Sequence, residues 1–346
     1  MTAQQAAPPA GAPLSWRLLR RLTVDPGAHP RGQPHLSAAS GLVCELGRVY
    51  VIADDEHHLA VFTDARAPGV LHRLVAGDLP APKDERKRRK PDLETLMWLP
   101  AGALERGSGA ALLALGSGST SMREHGFVVP VQAGGEPMAA ATREIDLAPL
   151  FGPLRARLGD INIEGAFCLG DEFVLLHRGG DGQRGSNAIA RYAWPDVLPL
   201  WRGERGGEIA PGVTHLCDLG QIAGVSLGFT DGAAWTGAGG GGGKATGKGT
   251  GKGAGGGTSG GFLFTAVAED SADSIADGAC RGSVIGLMQL DGRLRWLRRL
   301  RGAPKVEGLA VHTAAGSATL CLVTDADDPA RSSLLLQAQW MLPEPA

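Results

Sequence analysis

Apolar residues recur along this chain in short runs, each closed by a cluster of Gly, Asp, Ser or Arg. Runs of that length between turn residues predict strands rather than helices. Gly41 to Leu46 and Arg48 to Ala53 flank Gly47 and predict a tight hairpin. Leu59 to Thr63 and Val70 to Val75 add two further strands. Four strands in about 35 residues have the rhythm of one β-propeller blade. The pattern returns from Leu93 to Leu147, from Ile163 to Leu219, from Val225 to Leu300 and from Val306 to Gln337.

A short phrase opens each unit: Ser40-Gly41-Leu42, Glu94-Thr95-Leu96, Glu164-Gly165-Ala166, Ser226-Leu227-Gly228 and Glu307-Gly308-Leu309. The repeat predicts an all-β protein, a β-propeller of five blades, or six if two units are merged. The fifth unit lacks a fourth strand, and Trp16 to Val24 is a spare strand at the other end. Each supplies what the other lacks, so an N-terminal strand should complete the last blade and close the ring. Residues 1–13 read as a disordered tail and 14–342 as one propeller domain. Residues 148–158 predict a short helical turn between units.

Two tracts stand outside the repeat. Lys83 to Lys90 holds six basic residues and two acids, and reads as a solvated connection between blades. Residues 237–261 are a Gly-rich insertion carrying Lys244, Lys248 and Lys252, and read as flexible. Gly243-Lys244-Ala245-Thr246 resembles part of a phosphate loop, but Ala245 stands where the hydroxyl residue should follow the lysine.

Period-2 alternation sets Lys90, Asp92 and Glu94 on one side of their strand. It does the same for Asp160, Asn162 and Glu164, and for Lys305 and Glu307. In a propeller the first strand of each blade lines the channel, so Glu94, Glu164 and Glu307 should converge, with Ser40 and Ser226 in the other two places. Clustered carboxylates repel, and the repulsion is relieved by a cation, by lysine pairing or by a held proton. Oxygen donors suit a hard cation such as Ca²⁺. Lys90 and Lys305 offer neutralisation without metal, and a purely structural role for the glutamates is the third reading. The turns after each second strand, around Asp54, Arg123, His177, Arg178, Glu269 and Asp325, should surround the same mouth. Arg123 and Arg178 suit an anion clamp and His177 a general base.

Composition changes this picture little. With 34 basic and 36 acidic residues the net charge is −2, which argues against a general nucleic-acid or membrane-surface binder. The chain has five cysteines and no CxxC pair. They read as buried thiols rather than a disulfide framework or a zinc site. The N-terminus lacks a secretory pattern and no stretch suits a membrane span, so a reduced, cytoplasmic setting is expected.

The Ser-Gly-Leu unit ending in Asp54-Asp55-Glu56, and Glu307-Gly308-Leu309-Ala310-Val311 with Val323-Thr324-Asp325-Ala326-Asp327-Asp328, resemble blade signatures of the phytase-like esterase propellers. Lys90-Pro91-Asp92-Leu93-Glu94 with Ala114 to Ser119 and Arg123 is similar to an uncharacterised bacterial family of that type. The resemblance spans residues 36–336. It implies a divalent metal in the channel, for which Glu94, Asn162, Glu164 and Glu307 are the matching positions, and hydrolysis of an ester, lactone or phosphoester. Ser at two blade starts departs from that set. The rival expectation is a non-catalytic propeller binding a protein, peptide or glycan.

Overall fold

Each of the five apolar units folds as an antiparallel meander running from the centre of the molecule outward. The computed structural model describes residues 11–179, 186–204, 206–235, 261–270, 278–314 and 317–341. The first sheet is Ala39–Glu45, Arg48–Ala53, His58–Phe62 and Val70–Arg73. The second is Leu93–Leu99, Ala110–Gly116, His125–Val131 and Arg143–Asp146. The third is Ile163–Leu169, Glu172–His177, Asn187–Ala193 and Val213–Cys217. The fourth is Val225–Trp235, Gly261–Asp270, Ala279–Gln289 and Leu294–Arg299, with Gln221–Ile222 as a short extra strand. The fifth is Val306–Ala314, Ser317–Thr324 and Leu334–Met341, completed on its outer edge by Trp16–Arg21 from the other end of the chain.

The innermost strands of consecutive blades touch all the way round, the fifth meeting the first. The fold is therefore a five-bladed β-propeller closed by its N-terminal strand. The closing strand pairs with Leu334–Met341 and covers the outer edge that this strand would otherwise leave open. The apolar core is divided into five clusters, one between each neighbouring pair of blades.

The repeated phrase has a structural cause. Every innermost strand carries a β-bulge near its start, and the extra residues are Ser40, Glu94, Glu164, Thr230 and Glu307. A bulge leaves one residue out of the ladder and re-aims its side chain. Where glycine follows, at Gly41, Gly165 and Gly308, the neighbouring blade comes close. A Cβ on Gly165 would lie 3.0 Å from the Asp231 Cα, and one on Gly41 would lie 2.9 Å from the Leu96 nitrogen.

The fourth blade corrects the expectation for Ser226. That residue pairs with Gln221 in the extra hairpin, and the equivalent position is Thr230, four residues on. The basic run does connect the first and second blades with most of its residues exposed, but it is more than a solvated link. It forms a helix, Lys83–Arg89, whose Arg86 is buried. The turn expected at 148–158 is a full helix, Ala148–Leu158. The expected tail over residues 1–13 lies outside the described residues up to residue 10. The Gly-rich insertion lies outside them except for Gly261, which opens a strand.

Candidate functional site

The bulged positions divide by chemistry. Ser40 and Thr230 are staples between blades. The Ser40 hydroxyl donates to the Leu93 carbonyl at 2.5 Å, and the Thr230 hydroxyl to the Val306 carbonyl at 2.8 Å. Each binds the residue just before the next blade's bulge. Glu94, Glu164 and Glu307 border a cavity of about 90 Å³ at the channel mouth, which Ser40 also lines. Each second-strand end adds one side chain to the same rim: Asp54, Arg123, Arg178, Glu269 and Asp325. Strand pairing explains this, because the second strand returns antiparallel to the mouth where the first began.

The rim carries seven carboxyl groups and five basic groups, the latter Lys87, Lys90, Arg123, Arg178 and Lys305. Four of these cations are fixed by acids. The Lys90 ammonium joins Asp54 and lies 2.7 Å from Asp92. Arg123 lies 2.9 Å from Asp92, and Ser117 donates to that same carboxylate at 2.5 Å. Arg178 pairs with Glu269 at 2.6 Å and faces Glu164 at 3.5 Å and Glu307 at 3.9 Å. Lys305 joins Asp327 at 2.7 Å, Asp325 at 3.2 Å, Glu269 at 3.4 Å and Glu307 at 3.6 Å.

Two acids more than bases leaves the rim short of positive charge, and protons make up the difference. Burial raises the Glu94 carboxyl well above its ordinary range, helped by the neighbouring Glu164 and Asp92 charges. Burial likewise raises Glu307 well above it, against the pull of Lys305 and Arg178. Burial lifts Asp54 to about 7 and Asp325 to about 6. Asp92 and Glu269 go the other way. Burial opposes their ionisation, but Lys90 and Arg123 hold Asp92 below the usual range, and Lys305 and Arg178 do the same for Glu269. Neighbouring carboxyls are thus pushed apart, some protonated and some charged, as an acid–base site requires.

Two of these acids have acceptor atoms to spare. Glu94 makes no hydrogen bond to a described residue, and the buried Glu307 Oε1 has no hydrogen-bond partner. A buried polar atom such as Glu307 Oε1 is normally satisfied, whereas Glu94 is only half-buried.

The residues expected to hold Ca²⁺, namely Glu94, Asn162, Glu164 and Glu307, all border the cavity. Asn162 donates its amide to Glu164 at 2.6 Å. The carboxylates Asp54, Asp92 and Glu94 also present oxygens close enough to share one ion. Lys90 already joins two of those three, and Arg178 and Lys305 attend Glu164 and Glu307. A resident dication would have to displace fixed cations, so the donor set does not suit one. His177 does not border the cavity. It is buried, and its Nδ1 accepts the Asn162 backbone N–H at 2.9 Å, which fixes the turn that presents Asn162. Arg123 and Arg178 do border it, each engaged with carboxylates.

Sequence reasoning missed the helix Lys83–Arg89 as part of the site. Arg86 pairs with Asp55 at 2.9 Å, Lys87 borders the cavity, and the Lys87 carbonyl accepts from Arg123 at 3.1 Å. It placed Asp92 and Glu269 at the mouth but did not foresee that neighbouring cations hold both of them charged. Alternation had set Asp92 on the channel side, which was the available signal.

The chain belongs to the family described as "Family of unknown function (DUF6929)", matched over residues 35–239. Residues 250–329 match a second family of unknown function (DUF6910). No curated protein matches the chain. Among solved structures it is similar to the α-L-arabinofuranosidase of Podospora anserina, at 8% identity and a TM-score of 0.45, covering 95% of this chain and 96% of that one. It is also similar to the catalytic domain of the GH62 α-L-arabinofuranosidase of Coprinopsis cinerea, at 11% identity and a TM-score of 0.42, covering 94% and 97%. No helix among the described residues is long and apolar enough to cross a membrane.

Proposed function

We propose that the channel mouth is the active site of a hydrolase that works by carboxyl acid–base chemistry without calcium. The observation that carries this reading is Glu94, a carboxyl that bulging aims into the cavity, whose protonated form burial favours, and that makes no hydrogen bond to a described residue. Glu164, across the same rim, accepts a hydrogen bond from Asn162 and faces Arg178.

In this reading Glu164 takes a proton from water as that water attacks the substrate carbonyl. Glu94 gives its proton to the leaving oxygen as the C–O bond breaks. Lys90 and Arg123 hold Asp92 charged and Arg178 faces Glu164, while burial and the neighbouring Glu164 and Asp92 charges keep the proton on Glu94 against the pull of Lys90. The excess of acids disfavours a phosphoester, which would bring further negative charge, so the substrate class is a small neutral ester or lactone. That narrows what the esterase-propeller resemblance implies.

The test is turnover of a panel of small esters and lactones by the wild type, Glu94→Gln and Glu164→Gln. Each substitution should lower kcat by about 100-fold or more with KM little changed. Activity should fall on the alkaline side, above the ordinary carboxylate range, as Glu94 loses its proton. Variants as active as the wild type would overturn the reading. A second reading, a non-catalytic mouth that binds a peptide or glycan, draws support from the pairing of Lys90, Arg178 and Lys305 with acids. Saturable binding by a wild type that turns over nothing on the panel would favour it.

A further inference from the structure

Cys44, His312 and Cys321 come from three strands of two blades. Cys44 is on the innermost strand of the first blade, His312 on the innermost strand of the fifth, and Cys321 on the fifth blade's second strand. Ring closure brings them together, and one ligand atom from each lies within 4.8 Å of the others. They stand far from the mouth. Cys44 is four residues beyond the bulge at Ser40, about 13 Å along an extended strand.

We propose that these three side chains form a Zn²⁺ site that clamps the seam between the first and last blades. Two sulfurs and one imidazole are a soft, borderline donor set that suits zinc over calcium or magnesium. The set fills three corners of a tetrahedron, and the fourth faces outward, since His312 is exposed and Cys44 partly so. Water fills that corner in a three-ligand zinc site. The His312 ring makes no hydrogen bond to a described residue, which leaves its nitrogens available to a ligand. All five cysteines are free thiols. The Cys44 thiol hydrogen-bonds the Cys321 sulfur, so the two sulfurs already face each other across the seam. On binding, both thiols release their protons to solvent, Zn²⁺ takes two thiolates and the imidazole, and no oxidant is needed. Sequence spacing hides such a site, because no two ligands come from one motif.

The experiment uses the full reduced chain and Zn²⁺ alone. Competition against a chromophoric chelator should give one bound zinc per chain, and zinc should raise the melting temperature. Co²⁺ in its place should give the intense visible bands of a tetrahedral thiolate site. His312→Ala, at an exposed position that folding tolerates, should weaken zinc binding by about 100-fold, and Cys44→Ser should remove the thiolate-to-cobalt band. Glu94→Gln, at the mouth, should bind zinc as the wild type does. Zinc affinity unchanged in His312→Ala and Cys44→Ser would overturn the proposal. So would a reduced wild type that takes up no zinc, or a Cys44–Cys321 disulfide that resists mild reduction.

Discussion

Asp92 shows how one residue is made to serve this mouth. It is buried and its backbone φ is 55°, a left-handed value that costs a non-glycine residue about 1 kcal/mol or more. Lys90, Arg123 and Ser117 over-determine its position and offset that cost. Asp54, on the far side of Lys90, behaves oppositely: burial outweighs the lysine and lifts it to about 7. The folded protein therefore holds a proton on Asp54 that the unfolded chain releases from about pH 4 upward. Its contribution to stability is full below the ordinary carboxylate range and is lost as pH rises through about 7. The slope is at most about 1.4 kcal/mol per pH unit. Asp92 and Glu269, held low, act in reverse and lose their contribution as pH falls through their folded values. Asp54→Asn removes the first dependence only. Its melting temperature relative to wild type should be more favourable at pH 8 than at pH 5. A difference that is the same at both values would show that Asp54 is ionised throughout.

At the scale of elements, the helix Lys83–Arg89 and the bulged strands were legible to different degrees. A run of like charge looks solvated in a sequence, because nothing local reveals that Asp55 waits 31 positions earlier for Arg86. Burying Arg86 against Asp55 and the Pro80 and Ala81 carbonyls docks the helix beside the cavity. Arg86→Ala leaves Asp55 with one partner fewer in a buried setting. It should cost about 2–3 kcal/mol and make the Lys83–Lys90 segment cut faster by trypsin. Unchanged cutting at those lysines and arginines would show the helix is held by something else. The bulged strands were easier to read, since Gly41, Gly165 and Gly308, each after a polar residue, mark a close approach of neighbouring blades. Gly165→Ala would push a Cβ to 3.0 Å from Asp231 and should destabilise by about 1–3 kcal/mol, measured by urea unfolding. The fourth blade misled because Ser226-Leu227-Gly228 imitates the phrase, while Thr230-Asp231-Gly232 performs it. There Asp231 accepts the backbone N–H of Leu309 in the next blade at 2.8 Å.

For the whole molecule, blade count and closure were readable because one end lacked a strand and the other had one over. The cross-seam sites were not, since Cys44 and Cys321 lie at opposite ends of the chain and meet only after closure. The seam is held by more than its strand ladder. Arg20, on the closing strand, reaches from the fifth blade into the first. Its guanidinium sits 4.4 Å over the Phe62 ring and donates to the Asp64 and Ala67 carbonyls. Burial of that charge is tolerated because each donor finds a carbonyl. Arg20→Ala removes all these contacts at once and leaves two carbonyls without their donor. It should cost about 2–4 kcal/mol, and the loss should concentrate at the seam. Hydrogen exchange should therefore speed up in Trp16–Arg21, Leu334–Met341 and His58–Phe62, and stay slow in Leu93–Leu99 and Ile163–Leu169. Equal acceleration in all blades would mean that the ring opens as one cooperative unit and that closure protects every blade alike.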